Sequence, residues 1–558
     1  MENITFETDT TYKLNFTEFN LRTQSFKKSQ PSFNGFAGGV PLSYDDLNKT
    51  VYVDSSDTHT IVFGATGSLK SRAVVMPTVK ILASAGESMI INDSKGEIYE
   101  KLSAELKNEH GYNLIVINLR EPKLSNAWNP LKIPYEFYKN GFYDRAAEFC
   151  NDIANNLMLA EISVKDPYWD YSAADLCLGL TLLLFKYCKD NDQPIEAVNI
   201  GNIIKLRQLI FEDDSPQDNE LWKYAQSDEL ITTSLSGSIT APTNTRQSIL
   251  SVFDQKIRAF SIQPTLLDML ANDDLNLDAL LKEKTAIFII TPDEKTLYHR
   301  LIALFIKQTY EYIIYCAQNK QDKTQNNRIN FILDEFSTLP NIHDMPAMIS
   351  AARSRNIRFL LVIQSLHQLK QRYEAEAETI ISNCNNWIFF TSRELELLTT
   401  LSTLCGIKGN GQPLISVFDL QHFNKSRYEA LVLAGRLKPK KVYLLDIDKY
   451  LKNKSNPILF ETPQRKPRIH LTFRLNDSRT SLFETDKLND DNDEAERLQQ
   501  ERREYLERRR KELIEKLQEE SRSNKISNTK EKPKKSDGIK KKPNNTNKKS
   551  VSSEQDDK

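Results

Sequence analysis

Short, almost wholly apolar runs recur along the chain, separated by longer segments in which apolar residues have helical spacing. The runs of strand length are residues 60–63, 88–91, 113–117, 285–290, 329–333, 359–363, 387–390 and 442–445. Continuous apolar runs of this length are typical of strands buried on both faces of a parallel sheet. The pattern predicts an α/β fold in which right-handed crossovers close one mainly parallel sheet from both halves of the chain.

Residues of about 136–280 interrupt this alternation. Helical patterns dominate there, at 144–158, 175–189 and 200–211, and no strand alternation is visible. We therefore predict an inserted all-α domain at 136–280, with the α/β domain formed by residues 60–135 and 281–475. The apolar run at 176–188 is shorter than the roughly 18–20 residues that cross a bilayer, and its pattern favours a buried helix.

The two ends of the chain differ from the middle. Residues 1–59 are polar and irregular, with glycine and proline turn signals and no transmembrane helix expected. Residues 476–558 are predicted to be a charged helix followed by a disordered basic tail, since residues 524–558 carry eleven lysines against five acidic residues. That tail could bind DNA or acidic lipid, or could serve only to keep the protein soluble.

Composition narrows the class of protein. The 558 residues include 75 Lys and Arg against 76 Asp and Glu, so the chain as a whole is not a polycationic nucleic-acid binder. Its six cysteines are scattered without the spacing of a zinc site or a disulfide framework. The cysteine pattern favours a protein of the reducing cytoplasm.

The first candidate for chemistry is the sequence Gly-Ala-Thr-Gly-Ser-Leu-Lys-Ser, which directly follows the first predicted strand of the α/β domain. A loop of small residues between a strand and a helix can cradle phosphates with backbone N–H groups, while the lysine binds the β- and γ-phosphates and the serine binds Mg²⁺. The candidate nucleotide-binding residues are Gly64, Ala65, Thr66, Gly67, Ser68, Leu69, Lys70 and Ser71.

Leu69 occupies the position that is usually the second glycine of such a loop. That position often needs a backbone conformation that only glycine adopts without strain. We expect a leucine there to cost on the order of 1–3 kcal/mol unless the loop changes its shape. The rate of ATP hydrolysis is therefore an open question.

Two further segments supply candidate catalytic groups. Asp334 and Glu335 follow an apolar strand, where the first carboxylate could hold Mg²⁺ through water and the second could polarise an attacking water. Arg353 precedes the next strand and Gln364 follows it. An arginine can stabilise γ-phosphate charge across a subunit boundary, and a glutamine can sense that phosphate. For Arg355 and Arg358 we favour solvated positions near a helix end.

Together these features resemble the TraG/TraD-type coupling ATPases of conjugative type IV secretion systems, within the wider FtsK–HerA-like superfamily of P-loop proteins. The similarity covers roughly residues 55–450. Besides the phosphate loop, it rests on Val74–Thr78, Ile90–Glu97, Trp128–Leu131, Asp166–Trp169 and the block Phe331–Cys384.

The resemblance implies a RecA-like motor that uses ATP and Mg²⁺ at the interfaces of a homo-hexamer and whose ATPase is stimulated by the DNA it moves. The implied roles are phosphate binding by Lys70, Mg²⁺ binding by Ser71 and Asp334, catalytic base for Glu335, a trans-acting arginine in Arg353 and a sensor in Gln364. In the segment Asp93–Glu97, Lys95 could face nucleotide or DNA. The implied partners are the conjugative DNA strand, a relaxase or relaxosome, and the secretion channel.

Family members usually begin with transmembrane helices. With none expected in residues 1–59, the resemblance implies a cytoplasmic protein recruited to the inner face of the membrane by a separate anchor protein. Two other functions stay open. One is a docking receptor for relaxase or secreted cargo that hydrolyses ATP weakly or not at all, and the other is a soluble DNA pump of another pathway.

Overall fold

The computed structural model describes residues 11–15, 38–47, 50–159, 166–212, 215–292, 296–318, 327–449, 458 and 464–473. All of them belong to one compact unit, Met1–Thr485. A second unit, Asp486–Lys558, lies outside the described residues. The predicted charged helix and basic tail therefore also lie outside them.

A small antiparallel sheet forms in the amino-terminal segment, where we expected irregular structure. Its strands are β1 (Thr11–Asn15), β2 (Val40–Asp45) and β3 (Thr50–Asp54), in the order β1-β3-β2. The side chains of Val51 and Val53 are fully buried, and the half-buried Tyr52 lies between them. The expectation was wrong because this two-residue alternation is interrupted by polar residues and never gives a continuous apolar run.

The larger sheet confirms the predicted α/β class. Its strands are β4 (His59–Phe63), β5 (Ser88–Asp93), β6 (Asn113–Asn118), β7 (Thr285–Ile290), β8 (Ile329–Leu333), β9 (Ile357–Ile363), β10 (Cys384–Phe389), β11 (Glu429–Ala434) and β12 (Lys440–Tyr443). Their order is β12-β11-β10-β4-β9-β8-β5-β7-β6, with β4 to β10 parallel and β11 and β12 antiparallel. Strand β11 has no counterpart among the predicted strands.

Helices cover both faces of this sheet and fill the connection between β6 and β7. In the described residues they are α1 (Met76–Ala85), α2 (Glu97–Asn108), α3 (Lys132–Lys139), α4 (Tyr143–Met158), α5 (Tyr168–Asp190), α6 (Ile200–Ile210), α7 (Glu220–Ala225), α8 (Glu229–Ile239), α9 (Thr243–Ser261), α10 (Pro264–Ala271), α11 (Leu277–Lys282), α12 (Thr296–Gln318), α13 (Met345–Ala352), α14 (Leu366–Tyr373), α15 (Glu376–Asn383), α16 (Leu395–Cys405) and α17 (Val417–Gln421). Helices α3 to α11 lie between Lys132 and Lys282 and so include the 136–280 region predicted to be an all-α insertion. The boundaries of that domain stay a prediction.

Helix α5 contains the apolar run that we expected to be buried. With 23 residues it is longer than that run, and among the described residues it is the one helix long and apolar enough to cross a membrane. Of its most apolar stretch, 72% is buried inside the protein. It packs against α4, α8 and α9 as the core helix of the helical region.

Alternate residues of the central strands feed two apolar cores. Ile61 and Phe63 of β4 point into the core that includes the helical region, and Val62 points into the core on the opposite face of the sheet, beneath α1 and α2. The parallel register pairs Phe63 with Ile363 of β9 and with Phe389 of β10. The carboxyl ends of these strands therefore meet at one edge of the sheet, where loops can bring polar groups together.

Candidate nucleotide-binding site

The phosphate loop lies at the carboxyl end of β4 and is fixed to the two neighbouring strands. The N–H of Gly64 donates to the Ile363 carbonyl at 3.2 Å, and the N–H of Ala65 donates to the Thr391 carbonyl at 3.0 Å. A Cβ on Gly64 would lie 2.5 Å from the Ser68 Oγ, which is too close for any side chain. A side chain at position 64 would therefore displace the Ser68 hydroxyl within the loop.

Leu69 keeps the backbone conformation that its position demands. Its φ is 68°, in the left-handed region, and Gly67 has a φ of 73°. The leucine side chain is partly buried against the apolar core beneath α1. Left-handed backbone costs a leucine roughly 1–2 kcal/mol, and this burial offsets part of that cost.

Lys70 and Ser71 lie where the loop turns into a helical segment that begins at Ser71. The ammonium of Lys70 donates to the carbonyls of Gly64 and Ala65 at 2.5 and 3.2 Å. Burial lowers the pKa of Lys70, and the carboxylates of Glu335 and Asp334 oppose that shift. The lysine is thus a desolvated cation held over the loop by backbone oxygens.

Asp334 and Glu335 directly follow β8, as the sequence predicted, and face the loop. The hydroxyl of Ser71 donates to the Asp334 carboxylate at 2.7 Å. Burial raises the pKa of Asp334, with a further contribution from the charge of Glu335. Glu335 adopts a left-handed φ of 57°, a strained conformation for a non-glycine residue. The two carboxylates therefore belong to one cleft with Lys70 and Ser71.

Gln364 connects the catalytic candidates to the phosphate loop. It directly follows β9. Its side-chain Nε2 donates to the Glu335 carboxylate, and its side-chain Oε1 accepts a hydrogen bond from the Thr66 hydroxyl at 2.7 Å. A single glutamine therefore touches both the predicted base and an exposed residue of the loop. Such a position suits the predicted sensor.

Arg353 lies at the opposite edge of the sheet. It is exposed in a 3₁₀ turn that precedes β9. Its positive charge contributes to the lowered pKa of His59, the first residue of β4. The seven residues of β9 separate this arginine from Gln364, a span of roughly 20 Å. Arg353 is therefore outside the cleft of its own chain.

A sequence profile of the family described as type IV secretory system conjugative DNA transfer matches residues 21–467. The chain belongs to this family. A relative named Protein VirD4 from Rhizobium radiobacter is 24% identical over 405 residues, which are 70% of this chain and 54% of that protein. Protein VirD4 from Agrobacterium fabrum is 22% identical over 401 residues, covering 70% and 55%. The chain spans about half the length of these curated relatives.

Solved structures of conjugative coupling proteins share the fold. The bacterial conjugative coupling protein TrwBdeltaN70 matches with a TM-score of 0.52 and 15% identity over 77% of this chain and 91% of that one. The plasmid coupling protein TrwB in complex with the GTP analogue GDPNP matches with a TM-score of 0.53 and 16% identity over 73% and 89%. TrwB in complex with ADP and Mg²⁺ matches with a TM-score of 0.51 and 16% identity over 73% and 88%. The family assignment and the α/β P-loop fold are thus both confirmed.

Asn92, which the sequence analysis did not single out, supports Asp334. The amide of Asn92, at the end of β5, donates to the Asp334 backbone carbonyl at 2.7 Å. Asp93 is buried beside it, and burial raises its pKa to about 7. Its carboxylate accepts the Tyr99 N–H at 2.8 Å, so it holds the start of α2 and the segment that presents Lys95. Their position after an apolar strand was the available signal.

The expectation for Arg358 was wrong. We placed it in solvent, but it is buried, and its guanidinium forms an ion pair with Glu87 and donates to the Gly38 carbonyl at 2.8 Å. It is the second residue of β9 and so lies near the amino end of the strand, where Glu87 also lies, directly before β5. Sequence spacing could not reveal a partner that lies 271 residues away.

The polar groups of the cleft fit a magnesium nucleotide. The hydroxyl of Ser71 and the carboxylate of Asp334 are the hard oxygen ligands that Mg²⁺ prefers. The buried Ser68 hydroxyl has no hydrogen-bond partner in the described part of the chain and lies against the Gly64 backbone. A buried hydroxyl without a partner costs free energy, which a phosphate oxygen at this position would recover.

Proposed function

We propose that this protein is an ATP-driven, DNA-translocating coupling protein that links conjugative DNA and its relaxosome to a type IV secretion channel. The observation that carries the proposal is the convergence of five polar residues at one sheet edge, although they come from three separate stretches of sequence. They are Lys70, Ser71, Asp334, Glu335 and Gln364. Membership in the conjugative DNA transfer family supports DNA as the transported substrate.

The residues of the cleft have separable roles in hydrolysis. Bound Mg²⁺ would neutralise phosphate charge as it develops. Lys70, already desolvated, would bind the β- and γ-phosphates, while Ser71 and Asp334 would hold the metal. Glu335 orients and polarises the attacking water, and Gln364, bonded to both Glu335 and Thr66, transmits the state of the γ-phosphate to the base.

The position of Arg353 favours an assembly in which neighbouring copies share each site. The arginine is exposed and lies roughly 20 Å from its own cleft, across the length of β9. A neighbouring copy could present it to the nucleotide and stabilise the transition-state charge. We propose a homo-hexameric ring on this basis and on the resemblance to ring-forming motors.

The remaining partners follow from the proposed task. DNA would pass through the ring, a relaxase or relaxosome would deliver it, and a channel component or separate membrane anchor would recruit the protein to the inner face of the membrane. The curated relatives and solved structures are named as VirD4 and as coupling proteins, which is consistent with this placement.

A docking receptor without hydrolysis is less well supported. Its motivation was the leucine in the phosphate loop. Leu69 accepts the left-handed φ, and Lys70 and Ser71 take up positions that suit phosphate and metal binding. The leucine therefore gives no structural reason to expect a site that cannot hydrolyse ATP.

The proposal is tested by the ATPase rate of the purified assembly with and without DNA. We expect DNA to stimulate the wild-type rate, and Glu335→Gln to lower it about 10²–10⁴-fold because the general base is lost. Glu376→Gln, at an exposed position of α15, is the matched control and should leave the rate unchanged. A Glu335→Gln protein with the wild-type rate would reject the proposal.

A further inference from the structure

The loop that follows β10 lies beside the phosphate loop and is bonded to it. The N–H of Phe390 donates to the carbonyl of Phe63, the last residue of β4, at 3.0 Å. The carbonyl of Thr391 accepts the N–H of Ala65, also at 3.0 Å. The loop ends at Glu394, the residue before α16. The roles proposed above for the cleft do not involve this glutamate.

The carboxylate of Glu394 is bonded to the start of α14, which belongs to a different stretch of the chain. The N–H of Leu366 donates to one of its oxygens at 2.8 Å. The N–H of His367 donates to the other oxygen at 3.3 Å, and so does the hydroxyl of Ser365. Donors from three consecutive residues therefore converge on one half-buried side chain.

These bonds complete the hydrogen bonding at the amino end of α14. The first N–H groups of a helix have no partner within the helix itself. Ser365, the residue before α14, accepts the Gln368 N–H through its hydroxyl at 3.2 Å. Glu394 accepts the two N–H groups that come before it. The first three N–H groups of α14 are thus all bonded, and the negative charge of the glutamate suits the positive end of the helix.

Gln364 lies directly before this bonded turn and is held from both sides. On its amino side, the carbonyl of Ile363 accepts an N–H of the phosphate loop at 3.2 Å. On its carboxyl side, Ser365 donates to Glu394. The glutamine side chain between these two contacts donates to Glu335. Because both flanking residues are fixed, the amide keeps its direction toward the predicted base.

A further bond joins α14 to the segment that carries the predicted base. The hydroxyl of Ser337 donates to the side-chain oxygen of Gln368 at 3.2 Å. Ser337 belongs to the 3₁₀ turn Phe336–Thr338, which directly follows Glu335. Loosening of the first turn of α14 would therefore disturb both Gln364 and the turn after Glu335.

We propose that Glu394 is a positioning residue for ATP hydrolysis, which acts by holding Gln364 against Glu335. The proposal rests on the proposed function, since it concerns the same reaction. Catalysis depends on orientation, and a misplacement of about 1 Å can cost on the order of 10²-fold in rate. In the part of the chain that the structure describes, Glu394 has no bond to Lys70 or Ser71, so its loss should slow hydrolysis and leave nucleotide binding intact.

The ATPase rate of the full-length protein with Mg²⁺ and DNA, measured over a range of ATP concentrations, tests the proposal. Glu394→Ala should lower kcat about 10–100-fold and leave KM within about twofold. Glu394→Gln keeps one oxygen acceptor, so its kcat should lie between those of the wild type and Glu394→Ala. Glu396→Gln is the matched control. It removes another ion pair between α16 and α14, made with Lys370 at 2.6 Å, and should leave kcat unchanged.

A double variant separates this role from a general effect on the fold. In a Gln364→Ala background, Glu394→Ala should lower kcat by less than about twofold, because the side chain that it positions is already absent. If Glu394→Ala does not fold, Glu394→Gln takes its place in the same comparison.

The possible results also separate this role from the proposed function. A folded Glu394 variant with the wild-type kcat, a rise in KM with kcat unchanged, or an equal loss of kcat with and without Gln364 would overturn the role of Glu394 and leave the ATPase in place. Absence of ATPase activity in the wild type would reject the proposed function, and the role of Glu394 with it.

Discussion

The two edges of the parallel sheet use charged residues in opposite ways. At the amino edge, Glu87 is 4% exposed and is paired with the guanidiniums of Arg358 and Arg328. It also accepts the Gly38 N–H at 2.9 Å. Every oxygen of this carboxylate has a partner, so the cluster joins the amino-terminal segment to the sheet and is stable without further ligands.

At the carboxyl edge, the charges are not balanced in the same way. Asp334 and Glu335 are adjacent, and burial together with the charge of Glu335 raises the pKa of Asp334. The Lys70 ammonium is attracted by the charges of both carboxylates, but it donates its hydrogen bonds to backbone oxygens of its own loop. A bound cation and a phosphate would complete this set. Buried charges that are completely paired therefore indicate a structural role, whereas incompletely paired ones indicate a binding site.

Removal of a charge from the amino edge should have the largest effect on stability. Arg358→Met should lower the free energy of unfolding by about 3–5 kcal/mol, because Glu87 would be left buried without its main partner. Urea denaturation measures this loss. At a temperature where the variant is folded, its ATPase rate should match the wild type.

Arg358→Met combined with Glu87→Gln is the control, since it removes both charges. We expect the double variant to be more stable than Arg358→Met alone. Equal stability of the two, or loss of the ATPase rate in a folded Arg358→Met protein, would contradict an architectural role for this edge.

His59, also at the amino edge, should give the fold a pH dependence. Its Nδ1 accepts the Phe359 N–H at 3.0 Å, and burial lowers its pKa to about 4, with the charges of Arg353 and Arg358 adding to the shift. Between pH 6.5 and 4 the unfolded chain binds a proton that the folded protein does not. Stability is therefore lost as the pH falls through this window and is unaffected by His59 above it.

The contribution of His59 is measured by comparing how the free energy of unfolding changes with pH in the wild type and in His59→Gln. From pH 7 to pH 4 the wild type should lose roughly 2–3 kcal/mol more than the variant, measured by urea denaturation at each pH. Parallel pH profiles for the two proteins would show that His59 does not titrate as described.

The smallest expected effect is at the phosphate loop. Leu69→Gly relieves left-handed strain but removes buried apolar contact and makes the unfolded chain more flexible. Relief of strain stabilises the fold, whereas the other two effects destabilise it. The free energy of unfolding should therefore change by less than about 1 kcal/mol. The ATPase rate should stay within about twofold of the wild type, since the loop already has the required shape. A tenfold activation would show that the leucine impairs the site.

Much of the fold and of the cleft could be predicted because the signals are local. Buried parallel strands are continuous apolar runs, and the phosphate loop, Asp334 and Glu335 each directly follow one of them. A parallel sheet brings such ends together whatever their separation in sequence. The amino-terminal sheet was missed because its alternating strands expose polar residues and its turns resemble irregular chain.

Features that depend on the order of strands could not be predicted. A cavity combines Tyr44 of the small sheet with Tyr428, which directly precedes β11, and with Tyr443 of β12. The burial of Arg358 depends on Glu87, which precedes a strand two positions away in the sheet. No spacing in the sequence brings these residues together. Only the pairing of the strands does.

In the proposed ring, one copy binds the nucleotide and the next copy completes the site with Arg353. The decisive measurement is the ATPase rate of a mixed assembly made from two inactive proteins, Arg353→Ala and Glu335→Gln. A Glu335→Gln copy still has Arg353, which can complete the nucleotide site of an Arg353→Ala neighbour that still has Glu335. Random mixing in equal amounts should then restore up to roughly a quarter of the wild-type rate. Arg355→Ala, at the neighbouring arginine, is the matched control and should be active by itself. No recovery on mixing, or an active Arg353→Ala protein, would contradict the account.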